Sequence, residues 1–329
     1  MGKLSLKIAE EIVTKGREAA AKVSGNNEIA RSISEFQIHL ENDVSILIGP
    51  GRFLCRDAIC TVTGPSGIGK STFITQLCIA LACGREEFGF KPTKPLKILI
   101  IQCENDEGDV AEQRDGAIAG LQLIDTEINE VKQNVMVLRS NSMTGEEFIK
   151  LAVRPNLRQN QFDVLVIDPA LAYLGGNAKE QEIVGEFLRT HLLKVLVEFN
   201  CACLLVHHTN KPPTHQGKVQ WSGADSYLES GSAEFRNVAR AAITLIPIGV
   251  TGMYELCVPK RGGRLGWKNE AGEPTIKKFI RQSTANRLFW EPATEEQAEH
   301  AKVRQNKSAE EDILEKFLVA CRQLVPSAK

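Results

Sequence analysis

Residues Gly64–Ser71 read G-P-S-G-I-G-K-S, and no other segment restricts the fold as strongly. A short β-prone run, Ala58–Thr63 (A-I-C-T-V-T), leads into this loop, and an apolar helical run, Ser71–Cys83, leads out of it. Gly64, Gly67 and Gly69 allow the backbone to curl until several N–H groups face one concavity. The helix that follows adds the positive end of its dipole. Such a cradle suits a phosphate group. Lys70 is placed to reach β- and γ-phosphates, and Ser71 to ligate Mg2+. Pro65, Ser66, Ile68 and Thr72 complete the nucleotide-binding stretch, for which ATP with Mg2+ is the expected ligand pair.

The next two hundred residues alternate apolar runs with helical patterns. Lys97–Cys103, Val135–Leu138, Asp163–Ile167 and Cys201–Val206 read as buried strands, and Gln181–Phe199 as a helix. Near-continuous apolar strands separated by helices imply a parallel sheet covered on both faces, hence an α/β fold. Four later segments, Ala241–Ile246, Tyr254–Val258, Ile276–Arg281 and Arg287–Trp290, are spaced like antiparallel hairpins. Leu4–Val23 has apolar residues at i, i+4 spacing and reads as an isolated helix before a linker. Near the other end, Ser308 and Glu311 form a capping box ahead of an apolar helical stripe. These patterns divide the chain into an N-terminal helix and linker (1–44), a core domain (45–292) and a C-terminal helical extension (293–329).

Polar residues at the carboxyl ends of the predicted strands are the candidates for chemistry. Asp168 closes the run F-D-V-L-V-I-D-P, where a carboxylate faces the phosphates and can hold Mg2+; the alternative is a strand-end cap. Asp163 opens the same strand and so falls at the opposite edge. Glu104 closes I-L-I-I-Q-C-E and is the first candidate for the base that activates water, with Asp106 and Glu107 as rivals in the same acidic loop. His208 closes C-L-L-V-H-H; it either contacts the γ-phosphate or is an ordinary loop histidine. His207 points to the other side of the strand.

Two loops leave these strands, Pro169–Glu180 and Thr209–Gly231. The second carries Lys211, Lys218 and Trp221, a combination that suits single-stranded nucleic acid or an unstructured loop equally well. Pro259–Phe289 holds eight basic residues against Glu270 and Glu273. Within it Lys260-Arg261-Gly262-Gly263-Arg264 sits on a turn, where a rigid guanidinium can stabilise charge on a neighbour's nucleotide or simply be solvated.

Composition excludes several classes. The 329 residues are 43% hydrophobic and 25% charged with a formal net charge of −1, the balance of a globular chain without a global attraction to polyanions. No apolar run reaches the ~20 residues of a membrane span, and the N-terminus lacks a secretory pattern. Nine cysteines without C-x-x-C pairs read as reduced core residues of a cytoplasmic protein. A zinc site from Cys201, Cys203, His207 and His208 fails on geometry. A strand rising ~3.3 Å per residue puts Cys201 and His207 about 20 Å apart.

Taken together, G-P-S-G-I-G-K-S, I-I-Q-C-E-N-D-E-G-D, V-L-V-I-D-P, V-H-H-T-N-K-P and G-S-A-E-F-R-N-V-A-R-A resemble the RecA-like ATPases, specifically the RepA-type branch of hexameric replicative helicases related to the DnaB-type motor. The resemblance spans roughly residues 45–290. It implies a RecA-like core and a homo-oligomeric, hexameric ring. It also implies Glu104 as catalytic base, Asp168 as the Mg2+ carboxylate and His208 as γ-phosphate sensor. Lys260 and Arg261 would act across a subunit interface, and the two loops would line a channel for single-stranded DNA. The expected function is a Mg2+-ATP-driven DNA helicase, with a primase or initiator as a further partner. The second reading is a nucleotide-switched loader, scaffold or regulator that does not unwind; a filament-forming strand-exchange protein is a third. The finger segment K-R-G-G-R departs from the spaced K-x-R of DnaB-type motors, which leaves the finger residue open.

Overall fold

The computed structural model describes residues 30, 32–36, 43–208, 214–215, 218–219, 233–248, 252–286 and 288–303. The Leu4–Val23 helix, the helix opened by Ser308 and most of Thr209–Gly231, including Lys211 and Trp221, lie outside the described residues. The chain forms two compact units, Met1–Asp43 and Val44–Lys329. In the first, the single turn Ile33–Glu35 is closed by a capping box between Ser32 and Glu35.

The second unit is built on one sheet. Its strands are β1 (Ile46–Ile48) and β2 (Leu54–Cys55), which pair with each other, then β3 (Ile59–Gly64), β4 (Ile98–Gln102), β5 (Val135–Arg139), β6 (Val164–Asp168) and β7 (Ala202–His208). The short β8 (Thr214–His215) and β9 (Lys218–Val219) pair within the long loop after β7. They are followed by β10 (Ala241–Pro247), β11 (Met253–Lys260), β12 (Lys277–Gln282) and β13 (Trp290–Ala293). Among the described residues the main sheet has nine strands in the order β13-β12-β11-β10-β3-β7-β6-β4-β5. From β10 to β5 all neighbours are parallel; β10 to β13 are joined by antiparallel pairings. This is an α/β RecA-like P-loop core with antiparallel strands appended.

Every residue of β3, β4 and β6 is buried, as a sheet covered on both faces requires. Helix α1 (Lys70–Ala82) packs on one face, and ten of its thirteen residues are buried. Phe73, Ile74, Leu77 and Leu81 join the largest core cluster with Val62, Ile100 and Val166. Each such side chain stabilises the fold by roughly 1.5–3 kcal/mol. On the opposite face Phe148, Tyr173, Leu188, Leu196 and Phe235 form a second cluster.

Several expectations change. Ala241–Ile246 is more than a hairpin arm: as β10 it pairs parallel with β3 and antiparallel with β11, joining the two halves of the sheet. The last strand is Trp290–Ala293, three residues beyond the expected start at Arg287. Of the acidic stretch after β4, Glu104 and Asp106 stay in a turn, while Glu107 and Asp109 open helix α2 (Glu107–Gly120), and α3 (Asp125–Asn134) follows. Their weak apolar pattern hid them, because they bury few residues. Among the described residues no helix is long and apolar enough to cross a membrane.

Candidate nucleotide-binding site

Strand register assembles the site. Gly64 on β3 is level with His208 on β7, and Asp168 on β6 is level with Gln102 on β4. Four adjacent strand ends therefore carry, in spatial order, the glycine loop, His208, Asp168 and the turn to Glu104. Residues far apart in the chain meet because β3 and β4 are separated by β7 and β6.

The loop is shaped to hold an anion. Gly67 and Gly69 have φ of 78° and 89°, the left-handed region that side chains other than glycine's resist. At Gly64 a Cβ would fall 2.8 Å from both the Leu245 carbonyl oxygen and Ile68 Cδ1. Gly69 caps α1 with no side-chain hydrogen bond, so the first-turn N–H groups keep their capacity for an outside acceptor. Lys70 is 4% exposed, and its Nζ donates to the carbonyls of Gly64 (2.9 Å) and Pro65 (2.7 Å) and to His208 Nδ1 (2.8 Å). Burial lowers its pKa to about 8 against the opposing pull of Asp168 and Glu104. A cation held at such cost, on two loop carbonyls that phosphate oxygens can replace, fits a triphosphate.

His208 is half-buried, and its pKa is lowered first by burial and then by the Lys70 charge. A neutral ring that accepts at Nδ1 carries its proton on Nε2, where it can be donated. His207, one residue earlier, is fully buried and stacks on Phe235 at 4.1 Å.

The two aspartates of β6 have opposite environments. Asp168 is buried, which raises its pKa, and the like charge of Glu104 adds to this; the Ser71 hydroxyl bonds to its carboxylate and Lys70 opposes the rise. A buried, hydroxyl-linked carboxylate suits a divalent cation. At the far edge burial also works against Asp163. There the Lys97 N–H (3.0 Å), Arg56 and Lys94 (3.0 Å) outweigh it and hold the carboxyl below its ordinary range. Asp163 is a structural ion pair.

Glu104 lies just beyond β4 with an exposed side chain, and its charge acts on Lys70, Asp168 and His208. Gln102, which sequence reasoning passed over, clasps this turn: its Oε1 accepts from Asn105 N (2.8 Å) and its Nε2 donates to Asn105 O (3.0 Å). Of the rivals, Asp106 is committed to the α2 cap, accepting from Asp109 N at 2.9 Å, and Glu107 occupies the first turn.

A second support went unread in the sequence. Trp290 is fully buried, and its Nε1 donates to Thr72 Oγ1 (3.1 Å), which in turn donates to Gly69 O (2.7 Å). Gln76 exchanges two hydrogen bonds with the Trp290 backbone, at 2.8 and 2.9 Å, and Gln282 Nε2 donates to Ile68 O (3.3 Å). The β12–β13 hairpin thus braces the phosphate loop.

Lys260 and Arg261 are not brought to this site. Lys260 pairs with Ala242, which pairs with Thr61, so it is level with the lower part of β3. Three residues of rise and two strand spacings separate it from Gly64, about 14 Å. Lys260 Nζ donates to Arg236 O (3.1 Å), Arg261 Nη1 to Arg52 O (3.4 Å) and Arg264 Nη1 to Gly51 O (3.2 Å). Burial, together with Arg264, Arg240 and Arg52, lowers the pKa of Arg261. This segment faces away from its own phosphate loop.

The family model AAA_25, an AAA domain, matches residues 44–214, which contain β1 to β7 together with the glycine loop, Glu104, Asp168 and His208 but not the bracing Gln282 and Trp290. No curated protein matches the sequence. The match covers just over half of the chain, and the chain belongs to this family of AAA-domain P-loop ATPases.

Proposed function

We propose that the chain is a Mg2+-ATP-hydrolysing ring motor that moves along single-stranded DNA, a helicase of the replicative type. The observation that carries the reading is the row formed at four adjacent strand ends by the glycine loop with Lys70 just beyond it, His208, Asp168 and the turn to Glu104. Lys70 neutralises the β- and γ-phosphates, and the loop from Gly64 to Thr72 wraps them. Ser71 and Asp168 would hold Mg2+, which would supply charge to offset the phosphates. Glu104, exposed at the mouth, orients and deprotonates the attacking water. His208 donates from Nε2 to the γ-phosphate while Nδ1 stays tied to Lys70, so loss of that phosphate is felt at the start of the loop after β7. Lys260 and Arg261, too far to serve their own site, act on the nucleotide of a neighbouring copy.

The DNA step is supported by the placement of the two loops. Both leave the sheet at the nucleotide edge, after β6 and β7, and Lys211, Lys218 and Trp221 belong to the second. The test is ATP hydrolysis with and without single-stranded DNA. Stimulation is expected, and its binding should weaken with salt, each phosphate contact adding ~0.7 to the log–log slope. Replacing Lys211 and Lys218 by Ala should remove the stimulated part. An assembled ring that neither binds DNA nor responds to it at low salt would replace the helicase with an ATP-switched scaffold.

A further inference from the structure

A cleft of about 660 Å3 lies between α1, the α2–α3 pair and the β4–β5 face of the sheet, on the side of Ser71 and Asp168 away from the glycine loop. Its size falls within the ~300–1,000 Å3 of small-molecule sites. On α2 the wall is formed by Val110, Gln113, Arg114, Asp115 and Ile118, while Gly116 and Gly120 of the same helix face Asn286, Leu288 and Phe289 instead. Of the α2 residues only Gln113 and Ala117 are buried. The core cluster holding this layer has three buried members, Ile79, Ala117 and Val131.

The lining has a direction. Ile74, Ile100, Val110, Ile118, Ile128 and Val137 form an aliphatic wall. The inner end meets Ser71, Gln102 and Asp168, where an anionic group would face a buried carboxylate. The outer end carries Arg114, Asp115 and Lys132. Arg114 pairs with Asp115 at 2.8 Å, which leaves the Lys132 charge in excess at the mouth. Thr75, Asn105 and Gln113 line the rest, with Thr75 Oγ1 donating to Gln113 Oε1 at 3.0 Å; along the aliphatic wall alone water finds no polar partner and is displaced favourably by an apolar body.

We propose that this cleft is a second ligand site, for a small anionic amphiphile whose aromatic or aliphatic body lies along the aliphatic wall and whose head group meets Lys132. Such a ligand touches α1, which carries Lys70 and Ser71, and Gln102, which clasps the turn to Glu104. Its binding and that of nucleotide are therefore linked, and by equal factors in both directions.

The test uses the full chain and anilinonaphthalene sulfonate as probe, followed by fluorescence. The expected result is one saturable site per chain, weakened several-fold by Lys132→Glu and abolished by Ile118→Trp, which fills the cleft. Anilinonaphthalene lacking the sulfonate should bind with the same affinity to wild type and Lys132→Glu. Lys132 is exposed, so this variant tests the site even where Ile118→Trp does not fold. With rising Mg·ADP the probe's apparent Kd should reach a plateau. Absence of a saturable site overturns the proposal, as does an affinity indifferent to both variants. An apparent Kd that rises with Mg·ADP without limit also overturns it, because the cleft would then belong to the nucleotide itself.

Discussion

Trp290→Phe tests whether the appended hairpin supports the phosphate loop. The substitution keeps an aromatic ring against Phe73 and Tyr254, whose centroids lie 5.9 and 4.8 Å from that of Trp290. It also keeps both hydrogen bonds between Gln76 and the residue-290 backbone. What disappears is the indole N–H bond to Thr72 and the second ring. A lost hydrogen bond of this kind costs about 1 kcal/mol net. The smaller ring vacates roughly 40 Å3, which at ~24 cal/mol per Å3 adds about 1 kcal/mol. The expected destabilisation is therefore ~2 kcal/mol, against ~3–5 kcal/mol for Trp290→Ala. Urea unfolding of the nucleotide-free protein measures it. A double-mutant cycle with Thr72→Val isolates the bond: the double variant should cost about 1 kcal/mol less than the sum of the single ones. Nucleotide affinity should also fall further in Trp290→Phe than in Phe73→Leu, which loosens the same core without touching the Thr72 hydroxyl. A coupling near zero, with affinity unchanged, would refute the bracing role.

Glu104→Gln should retain ATP binding and lose turnover by roughly 10²–10⁴, as removal of a general base does; wild-type turnover would move the base to another residue. Lys260→Ala with Arg261→Ala should lower kcat more than nucleotide affinity. Mixing this variant with Lys70→Ala should restore part of the hydrolysis, whereas no rescue in verified mixed assemblies would exclude action between subunits. Asp163 has a folded-state pKa held below its unfolded value, so its contribution to stability is present above the ordinary carboxylate pKa and is lost as pH falls through the folded one. Asp163→Asn should therefore flatten the acid limb of thermal stability and cost ~2–3 kcal/mol near neutral pH by leaving Arg56 without its carboxylate. An unchanged acid limb would place the acid sensitivity elsewhere.

The phosphate loop was legible because its requirements are local: glycines at given positions, a lysine and a serine, a strand before and a helix after. The burial of β3, β4, β6 and β7 was legible for a similar reason, since a strand covered on both faces must be apolar throughout. Asp168, Glu104 and His208 could be picked out because each ends such a run. Helix α2 was missed because small residues and weak burial erase the periodicity that marks a helix, and α3 because Ile128 and Val131 are its only apolar residues.

Sequence alone therefore determined the type of site, its phosphate chemistry and the elements that carry it, all of which depend on residues a few positions apart. The tertiary structure decided which of those residues meet. Strand order brought His208 against Lys70 across 138 positions, and register separated Lys260 from the loop it resembles a partner for. Chain path seated Trp290 on Thr72 across 218 positions. The α2 cap took Asp106 out of the competition with Glu104. Local backbone preferences are written into neighbouring side chains, but the pairing of distant strands depends on how buried faces match across the whole sheet, and no short stretch of sequence contains that match.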